Sequence, residues 1–169
     1  DKLKAFIVEG GNPLMSMPDS LRIEEAFKKL DLLVVQDMFL TKTAELAHYV
    51  LPACSHLEKW GLGYTYNVVH CMPYLMLRKK CIDPYHESWS EWRFFTELAA
   101  RMGIGDIFPW KSEEELVAFE LEPTGMSFDY LLHEKPEGDY YQQKDYTIHE
   151  NTLKTPSGKI EIYSSTLGC

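Results

Sequence analysis

The chain has little of what would let it act alone on a charged polymer or in a bilayer. Lysine and arginine number 17 against 26 aspartates and glutamates, for a formal net charge of −9. That deficit of positive charge argues against broad electrostatic binding to nucleic acid or to an anionic membrane surface. No run approaches the ~18 uninterrupted apolar residues that a membrane-spanning helix requires. The opening DKLKAFIVEGG reads as a strand entering a turn and not as a signal peptide. There are four cysteines, Cys54, Cys71, Cys81 and Cys169, and no CxxC pair among them. A zinc ribbon or iron–sulfur cradle within this chain is therefore disfavoured, and the thiols read as buried or incidental. The six histidines have no i, i+4 pairing, and HExxH, GxSxG, the Walker loop and GxGxxG are all missing. This argues against a self-contained metal hydrolase or serine esterase.

Apolar residues make up 45% of 169 positions, enough for a real core in one domain or slightly more. The absence of an initiator Met, and an end (IEIYSSTLGC) where a new strand begins, lead us to expect an internal piece of a longer protein. The run from Lys4 to Glu9 is apolar and β-branched and ends in Gly10-Gly11-Asn12-Pro13, the pattern of a buried parallel strand running into a loop. Helical spacing follows over Ser20–Leu30, with Asp19 or Ser20 as cap. A second apolar strand over Leu32–Val35 ends at Gln36-Asp37. A short helix over Thr41–His48 and a third strand over Tyr49–Ala53 complete the alternation. Strand and helix alternating over about fifty residues predict an α/β fold with a Rossmann-like parallel sheet flanked by helices. Further on, a loop is expected over Gly61–Asn67, a strand over Tyr74–Ile82 and an amphipathic helix over Trp89–Met102 with Gly103 beyond it. Short helices are expected over Glu113–Glu122 and Phe128–His133, a polar surface connection over Glu134–Asp145, and a turn at Thr155–Gly158. Lys159–Tyr163 alternates like an edge strand.

Candidate site residues sit where the strands end. In a parallel sheet the carboxyl ends open into one crevice, so Asn12 and Asp37 are expected to face a common ligand. A carboxylate there can accept paired hydrogen bonds from a ribose diol or from the N1–H and amino group of guanine. Thr41 adds a hydroxyl and helix N-terminal amides suited to phosphate. Asp37 as a cap and Asn12 as a turn residue is the plainer account of the same positions. Lys59, on the loop after the third strand, reaches the same rim. Glu91, at the start of the Trp89–Met102 helix, also fits a dipole partner. The Met and aromatic residues read as core.

The segments GGNPLMSMPDS, LDLLVVQDMFLTKTAELAHYVLPA, LEKWG, SEWRFFTELAARMG and TPSGKIEIYSS occur here in order. In order and spacing they resemble landmarks of the molybdopterin oxidoreductases of the dimethyl sulfoxide reductase family. The resemblance implies a parent enzyme with molybdenum or tungsten on two molybdopterin guanine dinucleotides. The iron–sulfur cluster and the metal-ligating residue would lie in segments outside this chain. It implies a half-domain for the guanine dinucleotide over residues 1–107, a helical and loop connection over 108–150, and the first strand of a β-barrel domain over 151–169. It assigns cofactor contacts to Asn12, Gln36, Asp37, Thr41, Lys59 and Glu91, with no catalytic residue in the piece itself. The implied partners are the rest of the parent chain and electron-transfer subunits, with neither nucleic acid nor membrane insertion, in cytoplasm or periplasm. The alternatives are the same cofactor in a hydratase or transhydroxylase, and a cofactor-free structural subunit of the same fold. Three departures from the family pattern stand out: His48 replaces a common Asp, the segment after Lys59 is stretched to GLGYTYN, and Glu91 stands where Asp is common.

Overall fold

The computed structural model describes residues 3–64, 72–142, 155 and 157–159. Three parallel strands form its first layer: β1 (Ala5–Glu9), β2 (Leu32–Asp37) and β3 (Tyr49–Pro52), in the order β1-β2-β3. The register sets Glu9 beside Gln36, and Gln36 beside Leu51. Between β1 and β2 the chain passes through a single turn, α1 (Pro13–Ser16), and then α2 (Ser20–Phe27). Asp19 caps α2, its carboxylate accepting from Arg22 N at 3.2 Å. Successive strand residues point to opposite faces. On one face Val8, Leu33 and Val35 are buried with Ala44 against Phe27 and Leu30, while Leu21 of the expected helical stripe is exposed. Burying each of these aliphatic side chains contributes about 1.5–3 kcal/mol.

The helix expected over Thr41–His48 shrinks to one 3-10 turn, Ala44–Leu46. Its two ends explain why. Thr43 is fully buried and its hydroxyl donates to Asn12 Oδ1 at 2.7 Å, which ties the start of the turn to α1. At the other end His48 Nδ1 accepts from Leu33 N at 2.8 Å, so the chain is already back at the sheet. This bond also explains the residue at 48: any side chain with an acceptor at that reach satisfies the Leu33 amide near the start of β2. We expect His48→Ala to cost about 1 kcal/mol and His48→Asp to recover most of it, as read from urea unfolding.

A second sheet is antiparallel, in the order β4 (Gly61–Gly63), β5 (Tyr74–Arg78), β6 (Asp139–Tyr140). The expected loop at 61 thus begins as a strand, with residues 65–67 outside the described part. The strand expected from Tyr74 stops at Arg78. The polar stretch expected as a plain surface connection supplies β6, whose Asp139 accepts a hydrogen bond from Tyr130. Gly138 makes this turn possible: its φ is +101°, and a Cβ there would lie 2.5 Å from Leu75 O. Leu62, Leu75 and Leu77 pack with Leu131 and with Val117 and Leu121 of a helix spanning Glu113–Leu121 and capped by Ser112. The helix expected at Phe128–His133 is a π turn over Tyr130–Glu134. Thr155 O accepts from Gly158 N, as the expected turn requires, while the strand expected over Lys159–Tyr163 lies outside the described residues beyond Lys159.

The helix α3 (Glu91–Arg101) is capped by Ser90, and Gly103 leaves it at φ +75°. Its approach is fixed by main chain. Trp89 N donates to Pro52 O and Cys54 N to Trp89 O, both at 3.0 Å, so residue 89 is zipped onto the end of β3. Cys54 is buried and Cys81 exposed, both as free thiols. No helix among the described residues is long and apolar enough to cross a membrane.

Candidate functional site

The carboxyl ends of β1, β2 and β3 lie on one side of the sheet because the strands are parallel. Gly10, with φ +55°, turns the chain out of β1 while its N–H still reaches Gln36 O at 2.9 Å. Asp37 ends β2 half-buried, and its Oδ1 accepts from Phe39 N at 3.1 Å. No other hydrogen bond to a described residue engages that carboxylate. Thr41 Oγ1 accepts from Ala44 N at 3.2 Å, which leaves the hydroxyl proton free to donate. Asn12 is committed to the scaffold: its Oδ1 accepts from both N and Oγ1 of Thr43 and its main-chain carbonyl from Met15 N and Ser16 N, so its side-chain NH₂ is what it can offer a ligand.

Lys59 and Glu91 form an ion pair across the rim, with side chains 17% and 40% exposed. Each is placed by its neighbour. Glu58 is buried and accepts from Ser55 N and Tyr85 N, which pins the loop before Lys59, and the hydrogen bonds from Ser55 hold that carboxyl below the ordinary range. Glu91 follows from the zipped position of Trp89, whose carbonyl also accepts from Gln36 Nε2 at 2.9 Å. Gln36 is fully buried, and its Oε1 has no hydrogen-bond partner among the described residues. It opens onto a cleft of about 510 Å³ between β3 and α3, lined also by Leu51, Trp89, Phe94 and Leu98.

Glu9 is the site residue that sequence reasoning passed over. It is the last residue of β1, on the same sheet face as Gln36, and both of its carboxylate oxygens are buried without a hydrogen-bond partner among the described residues. Burial pushes its pKa up to about 7, assisted by the like charges of Glu91 and Asp37 and opposed by Lys59. A charged residue closing an otherwise apolar parallel strand was the available signal. Thr43 was also missed, since nothing in a short TKTA run marks one Thr as fully buried. The rim thus gathers Asp37, Lys59, Glu91 and Glu9, with Thr41 four residues beyond Asp37 and with Asn12 and Gln36 tied to Thr43 and Trp89. Chemically it presents carboxylate acceptors for N–H or hydroxyl donors, and one ammonium for an anion. Among the described residues no group of three or more His, Cys, Asp or Glu is arranged to hold a metal ion.

The sign of the Glu9 effect is definite. Its folded-state value lies above the ordinary 4.5, so the folded form holds this proton more tightly than the unfolded chain. Its favourable contribution is complete below pH 4.5 and is lost as pH rises to about 7. Glu9→Gln is therefore expected to remove a decline in stability between those values and to unfold at higher urea than wild type at pH 8. Urea midpoints of both proteins across that range check it.

The sequence model for molybdopterin oxidoreductase matches residues 1–101. The chain is 34% identical over 164 residues to the acetylene hydratase of Syntrophotalea acetylenica, covering 96% of this chain and 22% of that protein. It is 30% identical over 189 residues to the thiosulfate reductase molybdopterin-containing subunit of Salmonella typhimurium, covering 98% and 24%. The solved acetylene hydratase from Pelobacter acetylenicus superposes with a TM-score of 0.73 at 34% identity, over 97% of this chain and 22% of that one. The chain therefore spans less than a quarter of the length of these relatives.

Proposed function

The chain belongs to the molybdopterin oxidoreductase family, and from that premise we propose that it binds the guanine nucleotide end of molybdopterin guanine dinucleotide in a molybdenum- or tungsten-dependent oxidoreductase. Family membership implies a molybdopterin cofactor; the guanine form, the metal and an iron–sulfur cluster elsewhere in the parent belong to the proposal. The observation that carries it is the meeting of Asp37, Lys59 and Glu91 at the carboxyl end of a parallel sheet. The residues present fit such a group. Asp37 keeps acceptor capacity for a donor edge, Thr41 a hydroxyl and Lys59 an ammonium for phosphate oxygens, and the unpartnered Gln36 Oε1 is a buried acceptor beside them. When bound, the pterin-held metal supplies the redox or Lewis-acid chemistry. This chain orients one end of its carrier and performs no reaction itself.

In this proposal residues 1–107 form the nucleotide half-domain, 108–150 a connection tied back to it by β6, and 151–169 the entry to a barrel domain. The rest of the parent chain and electron-transfer subunits would complete the protein. The kinship with a hydratase favours a second reading, the same cofactor in a non-redox addition of water. Acid hydrolysis of the purified full-length protein should release GMP. Release of CMP, or of no nucleotide, would overturn the assignment. Dye-coupled electron transfer against alkyne hydration then separates the two readings.

A further inference from the structure

We propose that Glu9 is the proton-carrying group of this crevice: it takes up a proton when an anionic nucleotide seats on Lys59, and that neutralisation lets Lys59 leave Glu91. The inference rests on the nucleotide reading above. Its ground is geometric. Glu9 sits at the mouth end of β1 with both oxygens buried and no donor supplied to either by the described residues. One candidate donor, the Gln36 amide in register with it, is turned away to Trp89 O, and the Lys59 ammonium is paired with Glu91. The charged groups that face Glu9 come from three different elements: Glu91 from the first turn of α3, Lys59 from the loop before β4, and Asp37 from the end of β2.

Three carboxylates thus share one ammonium. A phosphate group arriving at Lys59 adds negative charge to a cluster that already has too much, and it competes with Glu91 for the same cation. Glu91 has a remedy, because its side chain is 40% exposed and can turn to water. Glu9 has none, since its oxygens are buried and lack donors among the described residues. An ionised carboxylate so placed is the group whose protonation relieves the site most. Binding and proton uptake at Glu9 are then linked, and an anion is held more tightly at low pH than at high. The ligand-free value of about 7 puts the linkage in the physiological range.

The test uses cofactor-free full-length protein, titrated calorimetrically with guanosine diphosphate from pH 6 to 8.5 in buffers of low and high ionisation enthalpy. The expected result is an affinity that falls toward tenfold per pH unit above 7, with proton uptake approaching one per nucleotide. Glu9→Gln, neutral at every pH, should bind at pH 8 as wild type does at pH 6 and take up no proton. Binding that ignores pH, or a slope that survives in Glu9→Gln, overturns the proposal. If that variant fails to fold, the wild-type proton count decides, and a count of zero is fatal. Absence of binding at every pH is a different result: it removes the nucleotide reading itself, and this inference with it.

Discussion

Thr43→Val is expected to lower stability by about 2–3 kcal/mol, although the two side chains have nearly the same shape. Thr43 is fully buried, and its hydroxyl works in both directions, donating to Asn12 Oδ1 at 2.7 Å and accepting from Leu14 N at 3.1 Å. Valine keeps the volume and removes both bonds. Leu14 N, at the start of a one-turn helix and buried, would then have no acceptor. An unsatisfied buried amide costs about 1–3 kcal/mol by itself, and the lost hydroxyl donor adds to that. Asn12 would keep only its longer bond from Thr43 N, at 3.3 Å. The damage should be local and readable by hydrogen exchange, with the Leu14 amide exchanging roughly 30- to 150-fold faster while amides of β5 keep their protection. Equal protection in Thr43→Val would show that the clamp between the β1 and β2 loops does not hold the rim together. Thr43→Ser, which restores the hydroxyl at the loss of a methyl, should recover most of the effect.

Asp37→Ala is expected to weaken guanosine diphosphate binding by about 1–3 kcal/mol, or roughly 5- to 150-fold, through loss of charge-assisted hydrogen bonds. Two roles meet in this residue, and a second variant separates them. Its Oδ1 shapes the turn by accepting from Phe39 N, a job that an asparagine does equally well. Its charge, by contrast, makes no other hydrogen bond or ion pair with a described residue and within the rim only adds to the repulsion on Glu9, so its favourable use is to a ligand. Asp37→Asn should therefore keep wild-type stability and still lose most of the guanine preference over adenosine diphosphate. If Asp37→Asn binds like wild type, the residue is a turn former and its place in the proposed site is withdrawn. The GMP content of purified full-length variants provides a second readout that does not depend on turnover.

Much of the parallel sheet was legible because its strands declare themselves locally. Lys4–Glu9 and Leu32–Val35 are short apolar runs punctuated by Gly-Gly-Asn-Pro and Gln-Asp, and the structure places β1 and β2 within one or two residues of them. The amphipathic pattern over Trp89–Met102 with its trailing glycine likewise announced α3, while the Ser90 cap and the start at Glu91 were seen only in the structure. The reading faltered where a segment's state depends on a distant partner. TKTAELAH has helical spacing, yet Thr43 is drawn to Asn12 and His48 to Leu33, and only one 3-10 turn fits between them. Asp139–Tyr140 carries no strand pattern at all and is a strand because β5 offers an edge there.

The same division runs through the site. Sequence by itself determined the α/β class, the alternation of strand and helix along the chain and the identity of the polar residues that end the strands, because strand propensity and turn chemistry are local rules. It could also name Asp37 and Lys59 as rim residues, and the family resemblance added Glu91. Only the tertiary structure decided how these residues are spent. Lys59 is shared with Glu91 across 32 positions, Gln36 is turned to Trp89 across 53, and Asn12 is used up on Thr43 across 31. It also decided that Glu9, an ordinary acid in the chain, becomes a buried carboxyl without a donor among the described residues. The physical reason is that burial and hydrogen-bond satisfaction are properties of neighbours in space. A carboxylate's charge state follows from what surrounds it once the chain has closed.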